Sequence, residues 1–328
     1  MTSGPIQDLP IRGQFSNLYS FRNTFHPASI EEPSVLKAFV TGAAGFVGST
    51  LVDRLLADGN SVVGFDNFST GQRAFLSQAI SSERFSLVVG DISSPQQLAE
   101  SMRGCDIVFH LAANADVRFG LQHPKRDLET NTIGTFNVLE AMRQCGVSKI
   151  AFSSTGSVYG ETSLVPTPED APFPVQTSLY GASKVAGEAL IQAYAAGFGF
   201  QAWIFRFVGV LGERYTHGHV VDFCRQLFAD PSKLTVLGNG RQQKSYIYVQ
   251  DCINAIFCAL DSATEAVNIY NLGIDNFCTV RECVSWITEE LAIKPNITFG
   301  TEDRGWIGDN PVIFLDTTKI RALGWSSS

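Results

Sequence analysis

Short apolar runs recur along the chain from Lys37 onward. Almost every position in these runs is apolar, which is typical of strands that are buried on both faces of a parallel sheet. Between them lie longer segments in which apolar residues repeat at helical spacing, as in 45–56. The predicted strands cover 38–40, 61–65, 87–89, 107–111, 149–153 and 201–207, and further helices are predicted over 124–143 and 178–196.

The alternation of strands and helices predicts an α/β domain with a doubly wound parallel sheet over residues 35–208. After about Gly209 the alternation weakens, and loops rich in Gly and Asp separate shorter elements. We therefore expect residues 209–328 to form mainly a smaller, mixed α/β lobe, with a substrate cleft between the two parts. The helices predicted in this lobe cover 220–228, 251–260 and 280–291.

Residues 1–34 show no periodicity, and prolines and aromatic residues are scattered through them. We expect this segment to be a loosely ordered N-terminal arm. The alternative is that its aromatic side chains pack on the domain or on a second subunit, because it holds more of them than a free tail requires. It lacks the charged and apolar profile of a signal peptide.

Composition and net charge indicate a globular protein and argue against some classes of partner. Hydrophobic residues make up 45% and charged residues 17% of the chain, which is usual for a globular protein. A net charge of -8 argues against nucleic acid or an anionic membrane as the main partner, but not against an anionic small ligand. Scattered cysteines without a Cys-x-x-Cys motif indicate reduced thiols and a cytoplasmic protein. No apolar run has membrane-spanning length, so no membrane helix is predicted. His217 and His219 lack further ligands of the kind that a metal ion requires, so no metal site is predicted.

A glycine-rich turn follows the first predicted strand and opens the first predicted helix. Glycine permits a tight turn and the close approach of a pyrophosphate, and the helix offers its N-terminal N–H groups. Asp66 ends the next strand, roughly 20 residues on, where a carboxylate accepts hydrogen bonds from ribose hydroxyls and repels a 2′-phosphate. Since no Arg adjoins Asn67, we predict NAD rather than NADP, in a Rossmann-type domain. The predicted cofactor-binding residues here are Gly42, Gly45, Phe46, Val47, Gly48, Asp66 and Asn67, with Asp91 and Ile92 near the adenine.

Tyr180 and Lys184 lie four residues apart in a predicted helix, so both side chains face the same way. A tyrosine ordinarily titrates near pH 10. We expect the neighbouring ammonium and an oxidised nicotinamide to lower the pKa of Tyr180, so that it acts as a base on a substrate hydroxyl. Lys184 would also hold the nicotinamide ribose, and Thr155 would hydrogen-bond the reacting oxygen. The alternative is an ordinary Tyr and Lys on an exposed helix.

Five short segments carry a joint signature: 41–48, 110–113, 131–135, 153–160 and 180–184. Together they resemble the extended short-chain dehydrogenase/reductases, and among these the nucleotide-sugar epimerases of the UDP-glucose 4-epimerase type. The resemblance spans residues 37 to about 325. It implies the catalytic roles already given for Thr155, Tyr180 and Lys184, and it adds Asn131 as a structural member of the proton relay. It also places Leu111, Ala112, Ala113 and Asn131 at the cofactor, together with Tyr180 and Lys184.

The resemblance implies a reaction as well. Tyr180 removes the proton of the 4-hydroxyl while hydride passes from C4 to NAD, and the resulting 4-keto sugar turns over and accepts hydride on its other face. Gly156 and Ser157 follow Thr155, where sugar 4,6-dehydratases carry Asp and Glu and uronate decarboxylases carry Glu at the second position. We therefore expect an epimerase acting at C4 of a UDP-hexose or UDP-uronate. A nucleotide-sugar dehydrogenase or dehydratase, and a non-catalytic NAD-binding module, are the alternatives.

A nucleotide diphosphate requires cations or N–H donors at its binding site. The candidates for contacts with such a substrate are Arg214, Lys244 and Arg304. Thr216 and His217 are expected in a loop that contacts the substrate, by analogy with the family. Each of the three cations could equally be a solvated surface charge.

The chain departs from the family pattern at three places in this half. Lys244-Ser245 stands where Arg-Asp is usual, Gly209 stands where Asn is usual, and Ile313 stands where a bulky aromatic can limit sugar size. A lysine lacks the bidentate fork of arginine, so we expect a looser or reshaped diphosphate site. Ile313 favours a cleft that admits a substituted hexose. The resemblance also implies a homodimer through helices at 124–145 and 178–196.

Overall fold

The computed structural model describes residues 35–172 and 175–328, apart from the side chains at 118 and 119. The predicted arm at 1–34 lies outside the described residues. Residues Val35–Ser328 form one compact unit. In chain order its strands are β1 (Lys37–Thr41), β2 (Ser61–Asp66), β3 (Phe85–Val89), β4 (Ile107–His110), β5 (Lys149–Thr155), β6 (Gln201–Phe207), β7 (Gly209–Leu211), β8 (Lys233–Val236), β9 (Gln243–Lys244), β10 (Tyr246–Tyr248), β11 (Val267–Leu272), β12 (Cys278–Thr279), β13 (Asn296–Phe299) and β14 (Val312–Ile313).

The helices that were predicted begin and end close to their predicted positions, with one exception, and α2, α3 and α10 were not predicted. The helix predicted over 124–143 is divided by a π-helical turn at Leu128–Ile133, a form that often marks a functional site. In chain order the α-helices are α1 (Phe46–Ala57), α2 (Pro95–Met102), α3 (Val117–Gln122), α4 (Pro124–Asp127), α5 (Gly134–Cys145), α6 (Leu179–Phe198), α7 (His219–Ala229), α8 (Val249–Ser262), α9 (Val280–Glu290) and α10 (Thr318–Arg321). Short 3₁₀ turns lie at Arg73–Leu76, Ala79–Ser81 and Gly156–Tyr159.

Seven strands form one sheet in the order β11-β6-β5-β4-β1-β2-β3, and every neighbouring pair is parallel. The doubly wound, Rossmann-type α/β fold is confirmed. The register aligns Thr41, the last residue of β1, with Phe65 and His110. The carboxyl ends of the central strands therefore meet at one edge of the sheet.

Two apolar clusters cover the two faces of this sheet. Within β1, Phe39 belongs to one cluster and Val40 to the other, because successive side chains of a strand point to opposite faces. The first cluster includes Ile191 of α6, and the second includes Leu51 of α1 and Ile253 of α8. Burial on both faces explains why the strands appear in the sequence as continuous apolar runs.

A third apolar cluster, which includes Phe223, Leu234 and Val284, holds a smaller group of elements together. There β8 pairs with β13, and β9 pairs with β12 and β14. The division at residue 208 stays a prediction, and β11, although it follows residue 209, lies in the large sheet. Among the described residues, no helix is long and apolar enough to cross a membrane.

Candidate functional site

The carboxyl ends of the central strands open into a cleft of about 1100 Å³. It lies where the strand order reverses between β1 and β4, the position at which open α/β sheets bind ligands. Of the residues predicted to bind or react, the cleft wall contains Gly42, Gly45, Phe46, Val47, Gly48, Asp66, Asn67, Asp91, Ile92, Leu111, Ala112, Ala113, Thr155, Tyr180, Lys184, Thr216, His217 and Lys244.

The glycine turn is packed too closely for side chains. A Cβ atom at Gly42, whose φ is +70°, would lie 2.8 Å from the backbone nitrogen of Ala112, and one at Gly48 would lie 2.0 Å from the carbonyl oxygen of Gly42. Helix α1 begins after Gly45 without a side-chain cap, and its first turn carries no acidic residue. Its N-terminal N–H groups can therefore bind the pyrophosphate of a dinucleotide, so this turn fits NAD.

Asp66 is held at the end of β2 by backbone donors. Its Oδ2 accepts a hydrogen bond from the N–H of Ala44 at 2.9 Å, and its Oδ1 accepts one from the N–H of Phe68 at 2.7 Å. Each carboxylate oxygen has a second acceptor site, which leaves Asp66 able to accept hydrogen bonds from ribose hydroxyls.

Asn67 and Asp91 form a pair beside Asp66. Nδ2 of Asn67 donates to Oδ2 of Asp91 at 2.6 Å, and the N–H of Ser93 donates to Oδ1 of Asp91 at 2.8 Å. Burial raises the pKa of Asp91, but the hydrogen bonds from Ser93 and Asn67 outweigh it and the net pKa lies below the ordinary value. Asp91 is therefore ionised at neutral pH, next to the predicted adenine region.

The three predicted catalytic residues all line the cleft. Helix α6 begins after Ser178, whose hydroxyl accepts the N–H of Gly181 at 3.0 Å. Tyr180 shares a side-chain hydrogen bond with Thr155 at the end of β5. Nζ of Lys184 donates to the carbonyl oxygen of Ser153 at 2.8 Å. The end of β5 thus positions both residues of the helix.

Burial dominates the titration of both groups. It raises the pKa of Tyr180 to about 12, against the hydrogen bond from Thr155, and the negative charge of Asp127 adds to the rise. It lowers the pKa of Lys184 to about 7, against the charges of Glu188 and Asp127. The expectation that Lys184 lowers the pKa of Tyr180 is wrong for the protein's own groups, because desolvation favours the neutral form of each.

Asn131 lies behind the cleft wall. It is buried in the π-helical turn, accepts the backbone N–H of Asn114 at 2.8 Å, and donates to the hydroxyl of Ser183 at 3.0 Å. It therefore ties the loop after β4 to helix α6. This arrangement suits a structural member of the site, and direct contact of Asn131 with the cofactor stays a prediction.

The three predicted cations differ in position. Nζ of Lys244 lines the cleft and donates to Oδ1 of Asp309 at 2.8 Å. Arg214 pairs with Asp53 at 2.6 Å, and Nη2 of Arg304 pairs with Oε2 of Glu161 at 2.9 Å. Neither arginine belongs to the cleft wall. Their predicted contact with substrate would require these pairs to break or turn.

Several cleft residues escaped the sequence-based prediction. Tyr246 shares a hydrogen bond with Nε2 of His219, and both side chains line the cleft with Arg225 and Trp306. A Cβ atom at Gly209 would lie 2.7 Å from the ring of Tyr246. The position of Tyr246 therefore explains why residue 209 is glycine rather than the Asn that is usual in the family. This glycine was the feature of the sequence from which a large side chain at this place could have been predicted.

The chain matches known proteins over most of its length. The NAD dependent epimerase/dehydratase family matches residues 38–273. The UDP-glucose 4-epimerase of Mycolicibacterium smegmatis is 34% identical over 299 residues, which cover 88% of this chain and 93% of that protein. The UDP-glucuronic acid decarboxylase 1 of Danio rerio is 30% identical over 299 residues, which cover 88% of this chain and 69% of that protein.

A solved structure is similar to this chain over the same part of its length. The crystal structure of a UDP-galactose 4-epimerase has a TM-score of 0.80 and 35% sequence identity, and the match covers 89% of this chain and 94% of that one.

Proposed function

The chain belongs to the NAD dependent epimerase/dehydratase family, and we propose that it is an epimerase that inverts C4 of a UDP-linked hexose or uronate. The predicted cofactor, NAD, and the predicted resemblance to this group of enzymes are confirmed. When bound, NAD supplies a site that accepts a hydride from the substrate and returns it. The residues that would hold it are the glycine turn, the start of α1 and the carboxylate of Asp66.

Tyr180 and Thr155 act on the reacting hydroxyl in this proposal. Thr155 holds the oxygen atom, and Tyr180 takes the proton and later returns it. With the protein's own groups alone, a pKa of about 12 makes Tyr180 a phenol at neutral pH. The hydrogen bond with Thr155 favours the phenolate form, and the positive charge of a bound oxidised nicotinamide would favour it further. Tyr180 would then take the substrate proton as a phenolate and return it as a phenol.

The observation that supports epimerisation over elimination is that the two residues directly after Thr155 in the chain are not carboxylates. Gly156 and Ser157 follow it, and neither can act as an acid or base at neutral pH. A Cβ atom at Gly156 would already lie 3.1 Å from Ile313. A longer acidic side chain at 156 would therefore have to displace the far end of Ile313.

Product analysis tests this proposal. The purified protein is incubated with UDP-glucose, UDP-galactose, UDP-N-acetylglucosamine and UDP-glucuronate, and the sugars are separated by chromatography while absorbance reports NADH. We expect one of these sugars to reach equilibrium with its C4 epimer without accumulation of NADH. Stoichiometric NADH would favour the dehydrogenase, a 4-keto-6-deoxy product the dehydratase, and NAD binding without turnover of any sugar the non-catalytic module.

Homodimer formation belongs to the same proposal. Leu128, Ile133 and Phe136 are exposed at the π-helical turn and on α5, and Leu179 and Phe198 are exposed at the two ends of α6. Large apolar side chains exposed on the two predicted dimer helices support an interaction surface there. We expect Phe136→Glu to convert a dimer into a monomer in size-exclusion chromatography with light scattering. A monomeric wild-type protein at high concentration would remove the proposal. The cytoplasmic location stays a prediction.

A further inference from the structure

A buried carboxyl group lies behind the catalytic helix and has no part in the proposed reaction. Asp127 ends α4 and is 1% exposed. Its Oδ1 accepts hydrogen bonds from the side-chain amides of Asn114 at 2.8 Å and Asn131 at 3.3 Å. Its Oδ2 has no hydrogen-bond partner among the described residues. Burial of a carboxylate without a full set of partners is costly, so its presence calls for an explanation.

Asp127 is connected to the turn of α6 that carries the reacting pair. The amide of Asn131 that reaches Asp127 also donates to the hydroxyl of Ser183 at 3.0 Å. Ser183 in turn donates to the carbonyl oxygen of Tyr180 at 2.8 Å. Asn114, the other donor to Asp127, lines the cleft. One continuous set of hydrogen bonds therefore joins the buried acid, the cleft wall and the backbone of Tyr180.

A second buried carboxylate near Lys184 is compensated, whereas Asp127 is not. Glu188 lies one turn after Lys184 and receives two hydrogen bonds from the guanidinium of Arg206, at 3.0 and 2.7 Å. Its charge is therefore largely balanced at short range. Asp127 makes no ion pair among the described residues, and its donors are neutral amides. Glu188 still raises the pKa of Lys184 more than Asp127 does, but Asp127 is the one of the two carboxylates that also raises the pKa of Tyr180.

The pKa shifts of Asp127, Tyr180 and Lys184 agree with the buried position of Asp127 behind the catalytic helix. Burial raises the pKa of Asp127, the hydrogen bond from Asn114 and the charge of Lys184 lower it, and Asp116 raises it further. The charge of Asp127 in turn raises the pKa of both Tyr180 and Lys184. In the part of the chain that the structure describes, Asp116, Tyr180 and Lys184 are the titratable groups whose charges act with Asp127.

We propose that Asp127 is a positioning residue that holds Lys184 as an ammonium and Tyr180 as a phenol in the resting site. It acts through its negative charge and through the hydrogen bonds of Asn131 and Ser183. This inference rests on the roles given to Tyr180 and Lys184 in the proposed function. It makes the protonation state of the reacting pair depend on a carboxylate that never touches the substrate.

The titration of Lys184 tests the inference without substrate. In the full chain labelled with ¹³C at lysine Cε, the Lys184 signal is followed against pH by NMR, and Lys184→Met identifies it. In Asp127→Asn the midpoint falls below the value of about 7, because an anion that stabilises the ammonium is gone. If Asp127 only supported the packing, its loss would loosen the site and move the midpoint up towards the ordinary value of 10.5. A midpoint that rises or does not move overturns the inference.

The matched control is Glu129→Gln, which removes an exposed carboxylate from the adjacent turn and leaves the midpoint of Lys184 unchanged. If Asp127→Asn does not fold, the wild-type protein gives the answer when it is also labelled at the aspartate carboxyl carbons. The Lys184 signal then moves at the midpoint of Asp127, and its failure to do so overturns the inference. The readout needs no turnover, so it is independent of whether the epimerase proposal holds.

Discussion

The two halves of the cleft are formed by different chemical groups, backbone in one and paired side chains in the other. The glycine half, formed by Gly42–Gly48 and Asp66, is made of backbone groups and of one carboxylate that is held by backbone donors. The lobe half is made of side chains that form pairs, Lys244 with Asp309 and Tyr246 with His219. Backbone geometry is set by contiguous residues, whereas side-chain pairs depend on the whole fold. The first half is therefore visible in the sequence, and the second is much less so.

The largest expected effect is at the point where the halves meet. Tyr180→Phe removes the hydroxyl that is proposed to transfer the proton but keeps the ring, so kcat should fall by about a hundred- to ten-thousand-fold. NAD affinity should change little, since the glycine half is intact. Steady-state kinetics and NAD titration check both. The control is Tyr248→Phe, because Tyr248 lies outside the cleft wall and its hydroxyl contacts Glu213. Equal losses in the two variants would contradict the role of Tyr180.

The pH dependence of the free energy of unfolding tests whether Lys184 is buried where the two halves meet. The pKa of Lys184 is about 7 in the folded chain and 10.5 ordinarily, so between these values the unfolded chain binds the proton and the folded chain does not. Its contribution to stability is therefore regained as pH rises through this window, by roughly 1.4 kcal/mol per pH unit. Chemical denaturation of wild type and Lys184→Met at several pH values measures the difference. A difference that stays constant from pH 7 to 10 would contradict burial of the charge.

Gly48→Ala breaks the glycine half without touching the lobe half. The new methyl group would lie 2.0 Å from the carbonyl oxygen of Gly42, so the turn must shift. We expect a loss of about 1–3 kcal/mol in the free energy of unfolding together with weaker NAD binding. Gly197→Ala is the matched control, since a Cβ atom there meets nothing within 4 Å in helix α6. It should stabilise the protein by about 0.5–1 kcal/mol, and the opposite order of the two variants would refute the packing argument.

The smallest expected effect is a difference in KM between substitutions of Lys244 and of Arg304. Lys244→Met should raise KM for the nucleotide sugar about ten- to a hundredfold with kcat nearly unchanged, because a charge-assisted contact is worth roughly 1.5–3 kcal/mol. Arg304→Gln should change KM far less, since Arg304 lies outside the cleft wall and pairs with Glu161 at the surface. Initial rates over a range of sugar concentrations give both values. A larger effect at Arg304 would return it to the substrate site.

The sequence predicted the parts of the molecule that depend on local order. The strand pattern, the turn at Gly42 and the carboxylate at Asp66 follow from neighbours along the chain and from one fixed distance. Arg214 and Arg304 were harder, because their partners Asp53 and Glu161 lie 161 and 143 residues away. The raised pKa of Tyr180 also depends on burial and on Asp127, which helix spacing does not reveal.

The fate of the hydrogen atom at C4 distinguishes a hydride that is retained in the cleft from one that is lost. The UDP-sugar that product analysis identifies as the substrate is prepared with deuterium at C4 and incubated with the enzyme, and the product is examined by mass spectrometry and NMR. We expect the C4 epimer to retain the deuterium at C4 and NADH not to accumulate, because the hydride leaves and returns within one cleft. Loss of the deuterium to solvent, or its recovery in released NADH with an oxidised sugar, would contradict epimerisation through a 4-keto sugar.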